Sequence, residues 1–227
     1  MNDIRAIKIA LKERGFYKGA INDVQDPQTD QAIIAFKRSV GLRARSFVGP
    51  LTRDALGLKR NAAQTYQQPW MNEAANHLGL REIPGKRHNS TIVRWNRQLG
   101  AWWTDDETPW CGTFVAFCLR SANHSLPKHW YRARAYADWG MPCEPRVGAI
   151  AVFGRRGGGH VGFVVGESDD TLYILGGNQR NQVNISPIAK SRLVNGGKGA
   201  CRWPSAEPLG PKLLPRMSGG RRTTNEA

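Results

Sequence analysis

The first apolar rhythm in the chain is helical. Ile4, Ile7 and Leu11 recur between residues 3 and 14 at spacings that share one helix face, and Ala32, Ile33, Phe36 and Val40 do the same between 29 and 40. Gly15 and Gly41 follow as stop signals. Pro50 can open a short third helix that carries Leu51, Ala55 and Leu56. The pattern predicts a small three-helix domain over residues 1–57. Residues 58–69, "LKRNAAQTYQQP", are polar and end in proline, which predicts a linker.

Beyond it, "WMNEAANHLGL" and "STIVRWNRQLGAWW" read as helices and "RARAYADWG" as a shorter one. In "TPWCGTFVAFCL" positions 111, 114, 115, 118 and 122 form the apolar stripe of a helix that faces a core. From residue 148 the period changes. "GAIAVFG", "HVGFVVGE", "TLYILGGN" and "VNISPI" are short, rich in β-formers and separated by Gly or Asp clusters, so they read as strands of an antiparallel meander. Helices first and strands afterwards predict an α+β domain over residues 70–205. Residues 206–227, rich in Gly, Pro and Arg, are expected to form a flexible basic tail.

Composition agrees with two folded domains: of 227 residues 40% are hydrophobic and 8 are Trp, enough to build a core. The net charge of +15 predicts attraction to a polyanion. The excess is spread along the chain without a dense basic block, so nucleic acid is not the expected partner. The N-terminus lacks the apolar run of a signal peptide, and no stretch approaches the roughly 18 apolar residues of a membrane span. The chain is therefore expected to be made in the cytoplasm and to act elsewhere only after release. Cys111, Cys118, Cys143 and Cys201 contain no C-x-x-C pair, which argues against a structural zinc site.

Cys111 has two readings. It is either the small hydrophobe that ends the apolar stripe or a nucleophile, and a base opposite it would decide. Thr108 is a suitable N-cap and Pro109 suits the first turn, which places Cys111 at the third helical position. There the positive end of the helix dipole favours a thiolate. His160 opens the strand "HVGFVVGE"; a hairpin that turns about Asp169 sets it opposite Asn178, which could hold the imidazole in the tautomer a base needs. Regular alternation would point Gln179 to the other face, so Asn178 is the preferred orienter. Cys118 reads as core, and His124 and His129 as surface residues.

Two resemblances bear on this. "IRAIKIALKERGFYKGAIND", "TDQAIIAFKRSVGL" and "FVGPLTRDAL" resemble the small peptidoglycan-binding domain of bacterial and phage wall hydrolases. "TPWCGTFVAFCL", "RARAYADWG", "VGAIAVFGRRGGGHVGFVVGE" and "YILGGNQRNQVNIS" resemble the CHAP and NlpC/P60 superfamily of cysteine peptidases and amidases, especially a phage-associated branch. The second resemblance implies a papain-like fold with Cys111, His160 and Asn178 as the catalytic residues. It implies a monomeric endolysin that cleaves an amide of the wall peptide with no cofactor and no metal. Peptidoglycan is then the expected partner, with anionic envelope polymers or an outer-membrane surface drawn in by charge. The alternatives are a noncatalytic wall-binding or assembly protein and a zinc-dependent amidase that would use His124, His129 and cysteines. A glycosidase needs two separated carboxylates, and Asp105, Asp106 and Glu107 are too crowded in sequence to argue for that geometry.

Overall fold

The computed structural model describes residues 3–22, 26–42, 44, 46, 48, 50–58, 66–85, 87–155, 157–196, 199–205, 207–210 and 214–217. The chain divides into two compact units, Met1–Thr65 and Tyr66–Ala227.

In the first unit, α1 (Asp3–Glu13), α2 (Pro27–Ser39) and α3 (Pro50–Ala55) enclose Ile7, Leu11, Tyr17, Ala32, Ile33, Phe36 and Leu56. Full burial of one such aliphatic or aromatic side chain contributes about 1.5–3 kcal/mol, so this short list holds the unit together. Val40 departs from the expected stripe: it caps the end of α2 and is exposed, because the helix stops at Ser39. The side chain of Leu51 lies outside the described residues. Asp26 explains why α2 starts where it does. Its Oδ1 accepts from the Thr29 N–H and hydroxyl, each at 2.7 Å, and its Oδ2 pairs with the fully buried Lys8 at 3.1 Å. The two bonds from Thr29 and the nearby ammonium hold the Asp26 carboxyl down at about 2.

The second unit is α+β. It runs α4 (Pro69–Asn76), α5 (Ser90–Leu99), α6 (Cys111–Ser121), a 3-10 turn (Ala133–Tyr136), then β1 (Met141–Cys143), β2 (Ile150–Arg155), β3 (Gly158–Glu167), β4 (Thr171–Gly176), β5 (Asn184–Ala189) and β6 (Cys201–Trp203). The strands form one antiparallel sheet in the order β1-β6-β2-β3-β4-β5. The sequence pattern anticipated β2 to β5; β1 and β6 are three residues each, too short to show a period.

Helix α6 packs on β3 and β4 and is covered in turn by α4 and α5. That position explains why Gly112, Thr113 and Ala116 are buried along with the expected stripe: α6 is enclosed on more than one face. "RARAYADWG" forms only the single 3-10 turn, whose Tyr136 is fully buried.

The edges of the second unit correct two expectations. The linker is narrower than residues 58–69, because Leu58 packs on the first core, while Tyr66 and Gln68 are buried in the second unit. Tyr66 and Asn72 exchange bonds of 2.9 Å that fasten the start of α4. Residues 59–65 lie outside the described residues. Nor is the whole of 206–227 a loose tail. The Arg146 guanidinium donates to Gly210 O at 2.8 Å, Leu214 is buried, and Glu167 exchanges backbone bonds with Pro215 and Met217 at 3.0 and 2.9 Å. Residues 206, 211–213 and 218–227 lie outside the described residues.

Candidate active site

Helix α6 begins at Cys111 itself, with Trp110 as its N-cap. The expected cap, Thr108, instead donates its N–H to Asp105 Oδ1 at 2.6 Å, in a turn that precedes the helix. Cys111 therefore stands at the first helical position rather than the third, still among the unpaired N–H groups of the N-terminus. It is 7% exposed. Burial pushes the Cys111 thiol up, the opposite of the direction expected from the dipole. The backbone N–H groups of Val161 and Gly112 and the charge of Arg155 pull it part of the way back. The contact with Val161 sets the sulfur against β3, one residue from His160.

His160 is buried at the start of β3, where it pairs with Phe153 of β2. On the other side of β3, Phe163 pairs with Leu175 and Val164 with Ile174, the register expected for a turn about Asp169; a bulge then separates Val164 from Gly166. Extrapolation of that register sets Asn178 opposite His160. The chain does not continue as a strand that far. β4 ends at Gly176, and Asn178 takes a left-handed backbone with φ of 55°. Alternation breaks at this bend, and the side chain that meets His160 is Gln179: its Oε1 lies 3.1 Å from His160 Nε2. Asn178 is buried nearby in sequence, yet its Oδ1 has no hydrogen-bond partner.

The Gln179 amide can be oriented from its surroundings. Its Nε2 lies at 2.7 Å from Asn184 O, 2.8 Å from Asn184 Oδ1 and 3.2 Å from Ile174 O. All three are acceptors, since Asn184 is fixed by its own donation to Gln179 O at 2.9 Å. The NH2 group must face them, so Oε1 faces the ring, and a carbonyl oxygen can only accept. His160 Nε2 therefore carries a proton, which leaves Nδ1 as the basic nitrogen of the neutral ring.

The polar run "GGNQRNQ" was the available signal that the strand ends early. Gly177 completes the explanation: a Cβ there would sit 2.5 Å from Phe114 Cβ and 2.6 Å from Trp110 Cζ3, so only glycine lets the bend close onto the start of α6.

Residues 1–56 match the putative peptidoglycan binding domain family, and residues 103–178 match the CHAP domain family. The chain carries a CHAP domain. The match takes in Cys111, His160 and Asn178 and stops one residue short of Gln179. No curated protein and no solved structure matches the chain significantly. The α+β unit thus has the papain-like fold of CHAP domains, and the two matches together support a peptidoglycan hydrolase.

The CHAP domain braces its cysteine from both sides. On one, Asp106 is fully buried and accepts from the N–H groups of Ile83 at 2.8 Å and Asn89 at 2.7 Å, with His88 Nδ1 at 2.9 Å from its other oxygen. Glu107 accepts from Gly85 N–H at 2.9 Å. Asp106 and Glu107 therefore bind the 82–89 loop to the segment that leads into α6. On the other side, the Tyr136 hydroxyl lies 3.1 Å from Gly112 O and 2.9 Å from Trp130 O.

A Cβ on Gly112 would meet Tyr131 O at 2.5 Å, and both groups are backbone. Gly112→Ala is expected to lower stability by about 1–3 kcal/mol, the usual cost of overpacking. A urea unfolding midpoint read by tryptophan fluorescence checks it.

His124 packs edge-on to Trp70 with ring centroids 5.0 Å apart and faces Glu207 at 3.8 Å, while His129 lies against Tyr131. Among the described residues no three of His, Cys, Asp and Glu come together as a metal-holding group.

Proposed function

We propose that this chain is a cysteine-type peptidoglycan hydrolase that cleaves an amide bond of the wall peptide, with Cys111 as nucleophile, His160 as base and then acid, and Gln179, in place of Asn178, as the residue that orients the imidazole. The observation that supports the reading is the Gln179 contact, a carbonyl oxygen 3.1 Å from Nε2 of His160, the residue before Val161, whose backbone acts on the Cys111 thiol. A proton on Nε2 leaves Nδ1 to accept the thiol proton.

The thiolate adds to the amide carbonyl carbon, and the oxyanion is received by the Cys111 backbone N–H at the helix N-terminus. The C–N bond then breaks as the imidazolium returns its proton to the leaving amine. A thioester remains. Water, deprotonated by His160, adds to it and releases the carboxylate and the free thiol.

The cleaved amide is either the bond from muramic acid to the first alanine or a bond within the peptide. The first unit would hold the chain on the wall and raise the local substrate concentration. The charge of +15 would add attraction to an anionic envelope, a contribution that weakens with salt.

Mass spectrometry of sacculi digested by the full chain tests the reading. Soluble products with new amino groups and no new reducing ends are expected, and their masses identify the bond. New reducing ends would replace the reading with glycosidase action, and binding without any product would replace it with a noncatalytic wall-binding role.

A further inference from the structure

Trp102 is 76% exposed, an unusual placement for the largest side chain. It is nevertheless held. Its ring meets Trp103 at 4.7 Å and Tyr131 at 5.0 Å, both edge-on, and Trp103 packs in turn on Trp130 at 5.8 Å and on Tyr131 at 5.5 Å. These four residues belong to neither hydrophobic core, so the cluster is a satellite on the surface rather than part of the fold's interior.

Its location is specific. The Trp130 and Tyr131 carbonyls are the groups that pack on Gly112 and the Tyr136 hydroxyl, so the cluster is fastened through backbone to the residue that follows Cys111. Its rim is polar: the Arg132 guanidinium lies 5.5 Å from the Tyr131 ring centre and is exposed, as is His129.

We propose that Trp102, seated on Trp103 and Tyr131, is a stacking subsite for one N-acetylated hexose ring of the wall glycan. An indole face carries the negative side of the ring quadrupole, and a pyranose offers a face of C–H groups with the opposite polarity. A flat, rigid aromatic surface suits that partner, and it loses little conformational freedom on binding because its neighbours already fix it. The hydroxyl and acetamido groups at the sugar's edge meet the polar rim. The subsite would keep the glycan strand beside the cysteine while the attached peptide enters. The choice of sugar rests on the reading of the chain as a peptidoglycan hydrolase, but stacking can be measured with no bond being cut.

All eight tryptophans lie beyond residue 65, so indole N–H signals in an NMR spectrum of the full chain report on the second unit alone, whatever the first unit binds. Peptide-free oligomers of alternating N-acetylglucosamine and N-acetylmuramic acid are the probe. The Trp102 signal, identified by its loss in Trp102→Ala, is expected to move saturably, while the buried Trp70 and Trp203 signals stay in place. Followed on the Trp103 signal, Trp102→Ala should weaken binding about tenfold. Trp102→Tyr should retain most of the affinity and Trp102→Leu should not. A still Trp102 signal, a response to free stem peptide but not to glycan, or equal binding by the Leu and Tyr variants would overturn the subsite. A glycan response in a chain that releases nothing from sacculi would sustain the subsite and remove the hydrolase reading instead.

Discussion

Cys111→Ala will lose peptide release from purified peptidoglycan by on the order of 10⁴-fold or more, the scale seen when a covalent nucleophile is deleted, while pull-down on sacculi stays at the level of the parent chain. Retention of binding is expected because the unit that matches the wall-binding family is separate and does not contain the cysteine. The fold should survive as well, since Cys111→Ala removes one sulfur at a site that is 7% exposed and leaves the helix start in place. Release by the variant at the parent rate would end the thiol mechanism.

A thiol mechanism also has a pH signature. Burial pushes the Cys111 thiol above its ordinary value, so at neutral pH the sulfur would be protonated if it acted alone. A thiolate near pH 7 then has to come from transfer to His160. Iodoacetamide alkylation of Cys111 in the parent chain should therefore proceed near neutrality. In His160→Ala it should become slow there and recover only as the pH rises above the ordinary thiol range. The sign follows from the direction of the shift: a raised thiol releases its proton later on the pH axis, and only a neighbouring base brings that release forward. Alkylation with the same pH dependence in both chains would remove His160 from the mechanism.

The larger features of this molecule are written in periodicity. Ile7, Leu11, Ile33 and Phe36 show the three-helix core directly, and the β-rich segments after residue 148 show the central strands, because burial on one face or between layers forces a regular pattern. Cys111 and His160 stand out as candidates in the sequence because each lies at the beginning of an element, where a change of period marks the place. What sequence could not show were departures from regularity. The start of α6 lies three residues beyond Thr108 because the side chain of Asp105 takes the Thr108 N–H, a tertiary choice between two caps. Asp106 and Glu107 serve a loop some twenty residues earlier in the chain, a contact that only folding reveals. The direction of the thiol's shift depended on the cover above α6, and burial outweighed the favourable helix end. The third residue of the site was assigned by strand alternation, and alternation fails where the strand ends.

Gln179→Ala is expected to lower kcat by about 10²-fold, whereas Asn178→Gly should cost far less. The asymmetry comes from the bend after Gly176. Gln179 Oε1 lies 3.1 Å from His160 Nε2 and favours a proton on that nitrogen; a ring that carries its proton on Nδ1 presents the wrong atom to a thiol. Asn178 occupies a left-handed position with φ of 55°, which glycine adopts without strain, and its Oδ1 has no partner to lose. Glycine is thus the informative replacement, since alanine would add backbone strain to any loss of chemistry. Gln179 also ties Ile174 to Asn184, so a fall in rate alone could come from a loosened loop. The ¹⁵N signals of His160 separate the two causes: in the parent chain they should report the Nε2–H form, and in Gln179→Ala a mixture of tautomers with the thermal midpoint recorded alongside. A lowered midpoint with an unchanged tautomer would make Gln179 a loop fastener only. If Asn178→Gly lost as much kcat as Gln179→Ala, with the His160 tautomer altered, the orienting role would return to Asn178.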